Sequence, residues 1–138
     1  MSERTVRLGI GFLALAGAGI SSSLLATRLA GGSLVCTTGG CETVQSSRYS
    51  EVLGVPVAAL GLIAYLTLLA TALARSPLAA VAGATVALSG AAFSGYLLVL
   101  QLTVIDAVCE WCVASDVTIS AAAMLAIVRV RQLVVHSA

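Results

Sequence analysis

From Leu78 to Ile105 the chain reads LAAVAGATVALSGAAFSGYLLVLQLTVI, without one charged side chain. That outruns the ~20 apolar residues that carry a helix across a bilayer core. Working outward, Leu8 to Thr27 is a second uncharged stretch, ended by Arg28, and Val52 to Ala74 is a third, ended by Arg75. The fourth is weaker. Val117 to Val128 is uncharged but short, and reaches spanning length only when extended back to Trp111, which takes in Asp116.

Composition points the same way. Of 138 residues, 59% are apolar and 9% charged, and the mean hydropathy is +1.08. A soluble domain is roughly 25% charged, and one this small cannot hide so much apolar surface. Disordered chains are polar and charged, so that class is excluded too. A net charge of +1 gives no basic face for nucleic acid. The expectation is an all-α membrane protein, a single domain over 1–138. It should be a four-transmembrane-helix bundle with spans at about 8–27, 52–74, 78–105 and 109–128 and an outer loop at 31–50. Arg4 and Arg7 ahead of an apolar run also fit a secretory signal. However, the run is long and no small-x-small cleavage site follows before Arg28, so the first helix reads as retained.

Arginines orient the bundle. Arg4, Arg7, Arg75, Arg129 and Arg131 fall on one side of a four-span chain, which the positive-inside rule makes the cytoplasm. Both termini are then cytoplasmic, in a multi-pass protein of the cell membrane. All four cysteines fall on the opposite, extracytoplasmic side, where disulfides persist. Cys36 and Cys41 lie in the Gly- and Thr-rich outer loop, which is suited to swinging between partners. Cys109 and Cys112 form a CxxC at the start of the fourth helix. Thiol exchange needs an accessible thiolate and a second thiol near enough to resolve the mixed disulfide, and a CxxC supplies both. Asp106 reads as the helix N-cap, with Cys109 in the first turn. The bland readings are a loop disulfide that only staples, or a zinc site using all four thiolates. All-cysteine zinc sites usually organise soluble domains, and no metal is expected. Asp116 lies one turn beyond Cys112 on the same face. It is either a proton donor inside the bundle or a hydrated cap. No Lys is present for a phosphate loop, and His136, the sole histidine, lies on the other side, so hydrolase and nucleotide-driven chemistries fail.

The order of motifs resembles the vitamin K epoxide reductase (VKOR) family in its bacterial branch, over about residues 8 to 130. It is carried by the loop pair Cys36/Cys41, Ser46-Ser47-Arg48-Tyr49-Ser50 leading into Gly54-Val55-Pro56, and the CxxC that opens helix four. The resemblance implies a thiol-disulfide:quinone oxidoreductase that forms disulfide bonds. Electrons would pass from a secreted thiol protein to the loop pair, then to the CxxC, then to a quinone of the menaquinone, ubiquinone or vitamin K type. It implies that Cys112 faces the quinone and that Cys109 exchanges with a loop cysteine. Cys41 is preferred for that inner role, and Cys36 for the outside partner. Ser47 and Ser50 are candidates for polar contact with the quinone carbonyl. Asp116 departs from the hydroxyl-bearing residue that members often carry near that position. Trp111 either flanks the ring or anchors at the membrane interface; the anchor is favoured. Many bacterial members carry a fused thioredoxin-like domain; none occurs in these residues, so a separate thioredoxin-like or DsbA-like donor is expected. Disulfide-generating bundles of the DsbB type place the CxxC in the first outer loop, unlike here. The alternative from another class is a small four-span transporter or membrane subunit with purely structural disulfides.

Overall fold

The computed structural model describes residues 2–30, 51–52 and 54–137. Cys36, Cys41, Ser47 and Ser50 lie outside them. Among the described residues are four α-helices: α1 (Glu3–Ala30), α2 (Val57–Leu73), α3 (Pro77–Leu100) and α4 (Glu110–Ser137). A π-helical turn, Gln101–Ile105, continues α3. A short hairpin precedes α2: β1 (Glu51–Val52) pairs antiparallel with β2 (Val55–Pro56), Glu51 opposite Pro56 and Val52 opposite Val55. Each helix packs on its two neighbours in the ring α1, α2, α3, α4.

The core is made of small residues. Ala14, Ala72, Ala84, Ala87, Ala122, Ala123 and Ala126 are buried together around Ile10, Tyr65, Leu68 and Ile119. Small side chains let helices approach closely where no water drives them together. A Cβ on Gly83 would lie 2.7 Å from Thr71 Oγ1, and one on Gly90 would lie 3.1 Å from Ile119 Cγ1, so both glycines mark close crossings. Large apolar side chains such as Phe12, Leu78, Val117 and Met124 point outward. That inversion suits a surface facing lipid. Among the described residues, three helical segments are long and apolar enough to cross a membrane: Glu3–Ala30, Pro77–Ile105 and Glu110–His136. At 17 residues α2 is shorter, about 25 Å long at ~1.5 Å per residue.

Several boundaries differ from the sequence expectation. Helix two starts at Val57, not at 52, because Pro56 has no N–H to donate and disfavours helical geometry in the residue before it. The preceding residues turn back instead, with Gly54 at φ 83°, a conformation that costs glycine little. Helix four starts one residue later than 109 and runs on past 128 to Ser137, because Arg129 is absorbed into the bundle. The first helix extends beyond 8–27 at both ends, carrying Arg4, Arg7 and Arg28 within it.

Arg129 is only 1% exposed. Its guanidinium donates to the carbonyls of Thr71 at 2.8 Å and Ala74 at 2.6 Å. Arg7 donates to the carbonyls of Ala72 at 2.8 Å and Leu73 at 2.9 Å. The last carbonyls of a helix lack intrahelical partners, and apolar surroundings make such orphans costly. Two arginines from the first and last helices thus close the C-terminal end of α2. Ser76 opens the next helix, its Oγ accepting from the N–H of Ala79 at 3.1 Å, with Pro77 in the first turn. At the opposite end of the bundle Arg28 is ion-paired with Glu51.

Arg129→Leu removes charge-assisted hydrogen bonds worth about 1.5–3 kcal/mol. It should lower the thermal unfolding midpoint in detergent by several degrees, and more than Arg28→Leu does at its exposed ion pair. Equal effects would contradict the capping role.

Candidate active site

Between α3 and α4 the chain reverses through 106–109. Asp106 takes the left-handed conformation (φ 60°, ψ 32°) and ends the π turn, its N–H bonded to the Gln101 carbonyl. It is therefore not the N-cap of the last helix. Cys109 stands in that place: its carbonyl accepts from the N–H of Val113 at 3.0 Å and its sulfur accepts from the N–H of Cys112 at 3.2 Å. The physical reason is that Asp106 is consumed by the reversal, so the helix can begin only after it.

Cys109 and Cys112 are joined as a disulfide, with Cα atoms 5.2 Å apart. Cys109 is fully buried against Ile105 and Ala107. Cys112 instead lines a cavity of about 430 Å³ whose wall draws on all four helices. On α4 the wall is formed by Cys112, Ser115, Asp116 and Ile119, which share one face at helical spacing. Ser94 of α3 and Gln101 of the π turn face them, with Tyr65 from α2. The remaining wall is largely apolar, with Leu24, Leu60 and Phe93.

Tyr65 ties this wall together. Its hydroxyl lies 2.8 Å from both the Ser115 carbonyl and Ser115 Oγ, donating to the former. Its ring lies directly over Gly17 of α1, where any Cβ would overlap it. Asp116 and Ser94 both line the cavity, from α4 and α3. Asp116 Oδ2 is buried without a hydrogen-bond partner among the described residues. Trp111 is partly exposed and is not part of the cavity wall.

Of the residues singled out in the sequence, the structure brings together Cys109, Cys112 and Asp116. Trp111 is beside them but outside the cavity. Sequence reasoning missed Tyr65, Ser94, Gln101 and Ser115. The signal was present: each is a polar group within an otherwise apolar span, and such groups face the bundle interior.

Fold and site define a class: a membrane-type helical bundle with a CxxC disulfide at the edge of an internal apolar cavity. The chain belongs to the Vitamin K epoxide reductase family, whose model matches residues 8–127. Membership implies an oxidoreductase acting on thiols and disulfides at a membrane, in a family generally linked to quinones and thiol-redox partner proteins.

Gly17→Ala forces the Tyr65 ring to move, an overpacking cost of about 1–3 kcal/mol. Tyr65→Phe loses only the hydroxyl bonds, about 1 kcal/mol. Thermal unfolding should rank Gly17→Ala as the more damaging. The reverse order would mean that the ring contact with α1 matters less than the hydroxyl.

Proposed function

We propose that this chain is a thiol-disulfide:quinone oxidoreductase that oxidises secreted thiol proteins and reduces a membrane quinone. The observation that carries this reading is the split orientation of the disulfide. Cys112 is on the cavity wall, while its bonded partner Cys109 is buried against Ile105 and Ala107 outside that wall. In this reading Cys112 serves the cavity and Cys109 exchanges with a loop cysteine.

The cavity suits a quinone of the menaquinone, ubiquinone or vitamin K type. Ligand sites run to ~300–1,000 Å³, mostly apolar with few polar groups, and about 430 Å³ lies within that range. Leu24, Leu60 and Phe93 would hold the ring and tail, and Asp116 and Ser94 would meet a carbonyl. The unpartnered Asp116 Oδ2 supports that polar contact. A bound quinone supplies an acceptor for two electrons and two protons. Ser47 and Ser50 would add contacts from the segment leading to α2, and Trp111 would anchor at the interface.

The chain's own residues divide the work. Cys36 takes electrons from a thioredoxin-like or DsbA-like donor, and Cys41 relays them to Cys109. The donor's two thiols lose two electrons and two protons and become a disulfide. The Cys109–Cys112 bond is broken to two thiols in exchange, and the loop disulfide re-forms. Cys112 then presents its thiol to the cavity, and Asp116 holds a proton beside it. Such coupling would drive disulfide formation outside the cytoplasm kinetically.

Four crossings are proposed, with α2 as the fourth span and both termini cytoplasmic. Support comes from the end of the bundle where Arg7 and Arg129 meet the end of α2, next to Arg75. Five arginines collected there match the cytoplasmic bias. The cysteines would then face the extracytoplasmic side, in one domain spanning 1–138.

Donor choice tests the relay. Replacing Cys36 or Cys41 with Ala should block turnover with a thioredoxin-like protein donor while sparing turnover with dithiothreitol. Equal loss with both donors would refute the shuttle. Asp116→Asn should slow quinone reduction about a hundredfold or more, in the range of lost acid–base assistance, with the unfolding midpoint unchanged. An unaltered rate would remove Asp116 from the mechanism.

A further inference from the structure

Gln101 is a carboxamide in an otherwise apolar run, and only 2% of it is exposed. The helix loosens from α to π geometry at this residue, and π turns inside helices often serve function. Its main-chain carbonyl accepts from the N–H of Asp106 and, at 3.1 Å, from that of Ala107. Its side-chain Oε1 accepts from the N–H of Cys109 at 2.9 Å. One residue thereby holds three donors along the reversal that delivers the CxxC.

A peptide N–H can only donate, so this bond fixes which way the carboxamide is turned, with its oxygen committed to Cys109. Cys109 is itself fully buried, which leaves its N–H no access to water. Further along the chain, the Cys112 N–H donates to Cys109 Sγ. The Gln101 contact therefore lies directly behind the residue whose sulfur must be attacked or released. Gln101 also lines the cavity that Cys112 faces, so it touches both sides of the centre.

We infer that Gln101 is a positioning residue for thiol–disulfide exchange, its carboxamide oxygen holding the Cys109 backbone so that the Cys109–Cys112 bond opens readily to an incoming thiol. In that step the incoming thiolate bonds to one sulfur of the pair and the Cys109–Cys112 bond breaks. The departing sulfur leaves as a thiolate and takes up a proton. The second donor thiol then attacks the first donor's sulfur in the mixed disulfide and expels the protein cysteine as a thiol, so the donor leaves as a disulfide and two electrons have passed to the pair. Small displacements of a reacting group cost large factors in rate, and loss of the Gln101 oxygen frees Cys109 to shift. The inference rests on the redox reading above, but it concerns opening of the disulfide and needs no quinone.

The test uses the full chain in detergent with its disulfides oxidised. Dithiothreitol is added without quinone, and opening of Cys109–Cys112 is followed by alkylation and mass spectrometry. Gln101→Leu should open roughly ten- to a hundredfold more slowly than the parent chain. Gln101→Glu keeps an acceptor oxygen at the same reach and should recover most of the rate. Unfolding midpoints are recorded for each variant; if Gln101→Leu does not fold, Gln101→Asn, whose shorter arm cannot reach Cys109, takes its place with the same expectation. An unchanged rate in the Leu or Asn variant overturns the inference. So does a Glu variant as slow as the Leu variant, which would point to general damage at a buried site. If the parent chain itself resists dithiothreitol, the redox reading fails first, a result separate from either.

Discussion

Four carbonyls at the end of α2 take their hydrogen bonds from two arginines, and the rest of the bundle is arranged around that closure. Arg7 comes from α1 and Arg129 from α4. An apolar environment makes each unpaired carbonyl costly, and a guanidinium can serve two at once with its fixed fork of donors. Once both arginines converge on one helix end, the first helix, the last helix and the α2–α3 connection must share that end. The hairpin, the reversal after α3 and the CxxC are then carried to the other.

At that other end the structure departs from simple helix packing. α3 passes into a π turn, Asp106 adopts a left-handed conformation, and α4 begins only after Cys109. Between the two ends, Tyr65 spans from Gly17 of α1 to Ser115 of α4 and holds the cavity wall one turn beyond Cys112. The wall therefore inherits its rigidity from helix packing, while the disulfide sits at the junction where regular structure stops. Cys112 thus lines the cavity, while its bonded partner Cys109 is buried outside the wall, at that junction.

Much of this was legible in the residues. Uncharged runs ending at Arg28, Arg75 and Asp106 marked the first three helices, because lipid admits few charges. The CxxC and the turn from Cys112 to Asp116 were visible as spacing alone. Other features were not. Arg129 read as a boundary charge, since nothing local says that it will find the carbonyls of a helix more than fifty residues away. The apolar run from Val52 did not mark where α2 begins, because Pro56 governs where that helix can start. Asp106 read as a cap, although the reversal needed it in a conformation that Asp tolerates better than most residues. Gln101 escaped notice because its partner is a backbone N–H eight residues on, a bond that exists only once the π turn has formed.

The central claim is that electrons leave the CxxC through Cys112 into the cavity, and a single-turnover experiment tests it most directly. The chain is reduced, freed of dithiol and mixed anaerobically with a menaquinone analogue, and quinone absorbance is followed while Cys109 and Cys112 are assayed for a re-formed disulfide. The account predicts one quinone reduced for each Cys109–Cys112 bond formed, and neither event in Cys112→Ala. Quinone reduction that persists in Cys112→Ala, or a pair that stays reduced before excess quinone, would contradict it.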